Sequence, residues 1–429
     1  MVCVRRTTVL EAGTFLYPNC LMTQLPNDPT PMSTEYCAKF NAEYTDEKYQ
    51  SFLRLLEERC GTPVQFRNSE TPCFFPEALI EKMAEYGREL VGQIVGNREY
   101  LDFARGYIPA EYRVPNEAAA PLFVQADFGL DANLEPKLVE IQGFPSLYAY
   151  QPTLAQTYRD AYGIDPNLKV YLNRWDTETY NALVRKAIVG AHEAENVVLL
   201  EIEPQTQKTL PDFLLTEKYY GVRTVCVTAV KKRGNRLFYS HAGREIPIER
   251  IYNRVIVDEL LRKKIVTGFD FRDDLEVEWA GHPNWYFLLS KAALPAFNHV
   301  SVPQTVLLNR LETLPANLDE WVLKPLFSFA GLGVTVSPTR AEVEAVRNSP
   351  DYILQRKVNF VPTVETPHGL TKVEIRVMYI WDEPHGSVPS CANLRAMTAL
   401  IRMGRGKMMG VDHNRDMKWV GASAAFFLD

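Results

Sequence analysis

No apolar run in the 429 residues reaches the roughly 20 that a membrane-spanning helix needs. The first thirty residues carry Arg5 and Arg6 but no long apolar core, so a secretory signal is not expected. Cysteine is sparse. The seven stand at 3, 20, 37, 60, 73, 226 and 391, an odd number without paired spacing. That pattern argues against a disulfide framework or a zinc site and points to a reduced, cytoplasmic setting. Positive charge is not in excess either. Lys and Arg total 47 against 53 Asp and Glu, a net charge of −6, which gives no reason to expect nucleic acid or a membrane surface as a partner. No G-x-x-x-x-G-K-[S/T] occurs, and Gly331-Leu332-Gly333 lacks the third glycine of a dinucleotide fingerprint. No Ser/His/Asp or Cys/His pair stands out by local spacing as a catalytic centre.

What is present is ordinary for a globular protein: 46% hydrophobic, 11% aromatic and 23% charged, with length for two or three domains and a large core. Residues 24–31 read as disordered, so residues 1–31 form a loose tail, or Met32 is the functional start. Thr45 opens a helix with Tyr49, Phe52, Leu53 and Leu56 on one face. A second begins near Pro76 with the stripe Leu79, Met83, Tyr86, Leu90 and Ile94. Both stripes read as core packing. Phe123–Phe128 and Lys137–Gln142 read as a hairpin, with Gly129, Asp131 and Asn133 in its turn. Residues 150–195 look helical and polar. The strand 197–202, a helix over 211–221 stopped by Gly221, and a strand over 223–230 form a βαβ unit, which implies a parallel sheet. Residues 231–236 turn, and Arg254 follows near the end of that unit.

Two local patterns carry chemistry. Glu140 and Gln142, two apart on a strand, project from one face, where a carboxylate and an amide oxygen could share a hard cation such as Mg²⁺. A solvated strand face gives the same pattern. Trp321–Val336 reads strand, small-residue loop, strand, with Lys324 ending the first strand and Ser328, Gly331 and Gly333 in the loop. Glycine has no Cβ to obstruct backbone N–H groups approaching a phosphate, and the lysine adds a point charge. A glycine-containing hairpin with an exposed lysine fits the pattern too. Further on, Glu374 and Arg376 alternate with apolar residues on one strand face, and Gly404, Gly406 and Gly410 mark a loop. In that loop Asp412, His413 and Asn414 read as turn residues more readily than as metal ligands.

Over roughly residues 100–429, the order of these motifs resembles circularly permuted ATP-grasp ligases, in layout those of glutathione and glutathionylspermidine synthetases. The resemblance implies an α+β fold in which two subdomains clamp ATP, with an inserted α/β substrate domain of parallel strands. The implied division is a tail (1–31), a helical region with metal-binding strands (32–190), a substrate domain (191–280) and a nucleotide-binding domain (281–429). It implies ATP and Mg²⁺ as cofactors. Lys291 and Lys324 would be the two nucleotide lysines, with Ser328, Gly331 and Gly333 in the phosphate loop and Gln355 and Lys357 along the adenine-edge strand. Glu140 and Gln142 would hold the metal, although the family carries asparagine where Gln142 stands. Arg376, Arg395 and Arg402 would surround the triphosphate. Asp127, Ser146 and Arg254 would face the substrate, Arg254 through its bidentate fork; a salt bridge from Arg254 to Asp258 or Glu259 is the alternative. The expected reaction joins a small-molecule carboxylate to an amine through an acyl phosphate, and a homodimer is left open. A non-catalytic nucleotide-binding protein and an ATP-grasp phosphotransferase are the competing readings.

Overall fold

The computed structural model describes residues 34–328, 331–382, 389–406, 409 and 416–428. Within them the fold is α+β, with four sheets. The largest has six strands in the order β1 (Cys73–Pro76), β17 (Gly421–Leu428), β16 (Leu394–Gly404), β15 (Lys372–Trp381), β2 (Phe123–Leu130), β3 (Pro136–Gln142). It is mixed: β1 runs parallel to β17 and the other neighbours are antiparallel. Its strands come from both ends of the chain, so segments 32–190 and 281–429 contribute to one sheet and one core.

The expected parallel sheet is present, in the order β10 (Glu278–Ala280), β9 (Arg250–Asn253), β4 (Val197–Glu201), β5 (Arg223–Cys226). β4 is buried along its whole length, as its apolar run requires. A helix, α7 (Leu210–Tyr220), makes the crossover and ends at Gly221, whose φ of +76° is cheap only without a Cβ. Beside this sheet lies a three-stranded antiparallel one, β6 (Lys231–Arg233), β7 (Arg236–His241) and β8 (Arg244–Ile248), where the sequence showed only a turn. The fourth sheet is antiparallel, in the order β11 (Thr305–Leu307), β14 (Tyr352–Arg356), β12 (Trp321–Pro325), β13 (Thr335–Val336), with its own small core around Leu323 and Leu354.

The helices are α1 (Thr34–Glu43), α2 (Asp46–Cys60), α3 (Glu77–Ile94), α4 (Arg98–Arg105), α5 (Tyr150–Tyr162), α6 (Thr177–Val189), α7, α8 (Val257–Lys263), α9 (Trp285–Leu288) and α10 (Arg340–Ala345). Thr45 caps α2 by accepting from the Lys48 amide. Tyr49, Phe52 and Leu56 are buried as its stripe requires. On α3 the buried face is rotated from the expected one. Ile80, Ala84, Gly87 and Val91 join Met83, Leu90 and Ile94, while Leu79 and Tyr86 are half-buried.

Other expectations needed correction. The segment 150–195 is two helices, and α5 is mostly buried. Its polar Gln151 reaches the sheet, donating to the Ala399 and Ser423 carbonyls at 3.1 and 3.2 Å, and that bonding is what lets a polar sequence pack inside. Gly129 belongs to β2 rather than the turn, opposite Lys137. A Cβ there would lie 2.3 Å from the Phe360 ring, so the glycine makes room for an aromatic side chain. The strand over 223–230 stops at Cys226 and turns into a short 3₁₀ segment. Gly410, Asp412, His413 and Asn414 lie outside the described residues, as does residue range 1–31. Among the described residues no helix is long and apolar enough to cross a membrane.

Candidate functional site

A cleft of about 680 Å³ opens between the six-stranded sheet, the β11–β14 sheet and the carboxyl ends of the parallel sheet. Its wall on the six-stranded side is built by strand register. Arg376 on β15 stands opposite Asp127 on β2, which stands opposite Glu140 on β3; on the other flank Glu374 pairs with Arg402 of β16. Residues two apart on a strand share a face, so these charges gather on one side of the sheet.

Asp127 is 1% exposed and sits beneath the cleft. Arg376 grips it with a fork, Nε donating to Oδ1 at 2.5 Å and Nη2 to Oδ2 at 2.6 Å, while Arg402 Nη2 donates to Oδ2 at 2.9 Å. Burial pushes the Asp127 carboxyl up, but Arg376 and Arg402 hold it below the usual range. Asp127, expected to face the substrate, is not among the residues lining the cleft, and both its oxygens accept from guanidinium groups. Arg402 also bonds Glu374. Burial raises Glu374 to about 7 against the pull of Arg402, and the negative charges of Asp127 and Glu140 add to the rise.

Glu140 bridges two cations, at 3.5 Å from Arg376 Nη2 and 3.4 Å from Lys291 Nζ. Gln142 Nε2 donates to Gln125 Oε1 at 2.8 Å, and that same oxygen accepts from Arg376 Nη1 at 2.9 Å. The longer side chain of glutamine is thus used to join a network under the cleft.

The lysines come from β12 of the opposite wall and from the 3₁₀ segment Lys291–Ala296. Lys291 and Lys324 are each 7% exposed. Lys324 Nζ donates to Gln355 Oε1 at 2.6 Å and to the Val139 carbonyl at 3.1 Å. Lys291 Nζ donates to the Ser328 carbonyl at 2.7 Å, tying the loop to the cleft. Gly331 lines the cleft, and both Gly331 and Gly333 have φ of +74°, a left-handed backbone that explains the glycines. Phe327, before the loop, packs on Phe287 with ring centroids 5.1 Å apart. Gln355 Nε2 donates to Thr305 Oγ1 at 3.1 Å, so this amide spans β14 and β11. Lys357 lines the cleft but spends its ammonium on the Asp319 carbonyl, at 2.6 Å, and Ser337 Oγ, at 3.0 Å.

The third wall is the carboxyl edge of the parallel sheet, where open α/β sheets receive ligands. Arg254 follows β9 and is 4% exposed; its amide donates to the Leu200 carbonyl, which sets it beside Glu201 at the end of β4. Its guanidinium lies over the Phe144 and Phe213 rings and is 3.3 Å from Asp212 Oδ2. The pairing with Asp258 or Glu259 is thereby corrected to Asp212. Asp212 in turn accepts from the amides of Leu147, Ala149 and Tyr150, fixing the start of α5. Ser146 lines the cleft nearby, its carbonyl accepting from Gln125 Nε2 at 2.6 Å.

Of the expected site residues, Glu140, Gln142, Ser146, Arg254, Lys291, Lys324, Gly331, Gln355, Lys357, Arg376 and Arg402 line this one cleft. Arg395 does not. It is exposed and pairs with Ile380, whereas Arg402 pairs with Glu374. Seven residues of strand separate the two arginines by roughly 23 Å, too far to serve one triphosphate. Ser328 and Gly333 stand behind the lining, Ser328 through its carbonyl and Gly333 against Pro325. Glu374, which the sequence places on one strand face with Arg376, lines the cleft as well, and so does Glu201, to which no expectation was attached. Burial pushes Glu201 up to about 8, opposed by Arg254. Its signal was in the sequence: a charged residue ending the otherwise apolar run Val197–Leu200.

None of the known family models matches the chain, and no curated protein matches it in sequence.

Proposed function

We propose that the chain is an ATP-dependent carboxylate–amine ligase of the ATP-grasp type. The observation that carries this reading is the meeting of Lys291 and Lys324 with Glu140 and Glu374 in one cleft, although the four come from distant parts of the sequence. Phosphoryl transfer asks a protein for positioning and charge neutralisation more than for a nucleophile, and that is what these side chains supply. Lys324 and Lys291 would hold phosphate oxygens beside the Gly331 backbone, with Gln355 at the adenine end. Arg376 and Arg402 would face the transferred group. Arg254 would hold the carboxylate substrate. One substrate carboxylate would take the γ-phosphoryl group, leaving ADP; an amine would then attack the acyl carbon, releasing phosphate.

Mg²⁺ fits the donor set. Among the described residues no three His, Cys, Asp or Glu side chains are grouped to hold a metal alone. Magnesium needs only one or two carboxylates when phosphates complete its shell. Glu140 and Glu374, with the Gln142 amide oxygen, meet that requirement. When bound, the ion would neutralise phosphate charge.

The test is ADP release with Mg·ATP against pooled amino acids, short peptides and polyamines. Release that needs a carboxylate and an amine together supports the ligase. Release without any amine would make the chain a phosphotransferase, and absence of Mg·ATP binding would reduce it to a scaffold.

A further inference from the structure

Glu201 ends β4 at the carboxyl edge of the parallel sheet and lines the cleft. Register fixes its place. Leu199 pairs with Tyr252 and Leu200 with Asn253, and the Arg254 amide donates to the Leu200 carbonyl, so the next residues along, Glu201 and Arg254, lie side by side. Leu199 and Tyr252 both point into the core shared with the six-stranded sheet, and by alternation Glu201 and Arg254 leave their strands on that same face.

The carboxylate is buried with few partners. It is 4% exposed. Oε1 accepts from the Ile202 amide at 2.7 Å. Oε2 has no such partner among the described residues and is not enclosed, so it is the oxygen that meets the cleft. No cation among those residues stands within ion-pair distance. Arg254 is taken up by Asp212 at 3.3 Å, and Lys263 by Glu259 and Glu203 at 2.8 and 2.6 Å. A buried charge without a partner is costly, and packing alone would be better served by an apolar side chain like the four before it, Val197–Leu200.

An acid in this setting suits proton transfer. Burial raises it to about 8 and the negative charge of Glu259 adds to the rise, while Arg254, the Ile202 amide and Lys263 oppose it. A carboxylate that keeps its proton to such a pH is a much stronger base than one in water, and a general base works best near the operating pH. The position suits the same task. Joining an amine to an activated carboxyl must shed a proton from nitrogen, and the immediate neighbour of Glu201 is Arg254, to which the carboxylate substrate is assigned.

We propose that Glu201 is the general base that takes the proton from the attacking amine. The inference rests on the ligase reading, which supplies the acyl phosphate. As the nitrogen bonds the acyl carbon, its proton passes to Glu201 Oε2. The C–O bond to phosphate then breaks, the electron pair leaves with the phosphate, and the proton follows to the phosphate or to water.

The test compares two acceptors at saturating Mg·ATP, with pooled amino acids and short peptides as the carboxylates. One acceptor is a pool of primary amines, cationic at pH 7. The other is hydroxylamine, which is neutral there and attacks an acyl phosphate without help from a base. Glu201→Gln keeps an oxygen for the Ile202 amide but cannot take a proton. It should lower kcat with the primary amines about a hundredfold or more, and leave hydroxamate formation within about threefold of the wild-type rate. With primary amines the wild-type kcat should rise with pH through about 8, and the substitution should move that rise to the higher pH at which the free amine loses its own proton. Thermal unfolding checks that the variant folds. If it does not, Glu201→Asp, which keeps the acid but withdraws it by one methylene, takes its place, and the same selective loss is expected. An equal loss with both acceptors would assign Glu201 to forming the acyl phosphate and overturn the base, as would an unchanged rate with the primary amines. If the wild-type chain forms neither product, the ligase reading has failed and the base falls with it.

Discussion

Lys324 Nζ donates to the main-chain carbonyl of Val139, 3.1 Å away and 185 residues earlier in the chain. The bond is possible because β3 is bulged. Asp127 pairs with Glu140 and Phe128 with Leu138, so Val139 has no partner on β2 and its carbonyl is free to take a side chain. One contact thus seats the lysine of the glycine loop beside the carboxylate of Glu140.

Mg·ATP is expected to stabilise the protein. At a hundred times its Kd a ligand adds about 2.7 kcal/mol, which a thermal-shift assay reads as a rise in Tm. Lys324→Ala should abolish the rise; an equal rise in that variant would remove Lys324 from the nucleotide site.

Nucleotide affinity should fall in alkali. Burial pushes Lys324 down to about 8; Glu140 opposes the shift and Lys291 adds to it. An unfolded lysine titrates near ~10.4, so between about 8 and that value the folded chain holds fewer protons than the unfolded one. This lysine's contribution to stability therefore rises with pH across the window. A triphosphate favours the charged form, so binding should take up a proton there and weaken as pH rises through 8. Calorimetry at pH 8.5 in buffers of different ionisation enthalpy measures the uptake, and none at all would contradict the assignment.

Arg254 needs a conservative substitution. Removing its charge would leave Asp212 buried and unpaired, a loss of roughly 3–5 kcal/mol that would confuse stability with binding. Arg254→Lys keeps the charge and loses the fork. We expect the KM of the carboxylate substrate to rise about tenfold or more with the KM for ATP unchanged. A matched rise in both would place Arg254 among the phosphate ligands.

The metal positions should be unequal. Glu140→Gln is expected to weaken Mg²⁺ dependence and activity with the fold intact, because a carboxylate is the stronger ligand for a hard cation. Gln142→Asn should be mild for the metal, since its present bond to Gln125 serves the network below. Magnesium titrations of activity distinguish them, and a larger effect at Gln142 would reverse the order.

Asp127→Asn should chiefly destabilise. It leaves Arg376 and Arg402 without the carboxylate that both grip, at a cost of roughly 3–5 kcal/mol. Urea unfolding measures this as a lower midpoint; an unchanged midpoint would show that Asp127 acts on the ligand instead.

The sequence by itself determined the elements whose signal is local. Thr45 capping α2, Gly221 stopping α7, the 123–142 hairpin, the apolar strand at 197 and the glycine loop after Lys324 each follow from neighbouring residues, because caps, turns and strand periodicity are short-range physics. It also marked eleven of the residues that line the cleft. What it could not decide was which of them have charge to spare. Asp127 and Arg254 look alike on paper as polar residues among apolar ones, yet their partners, Arg376 and Asp212, are far away in the chain. Arg395 and Arg402 differ only in distance along one strand, and the pairing of β15 with β16 puts one at the cleft and the other in solvent. Electrostatic partners are properties of long-range packing, and only the tertiary structure fixes them.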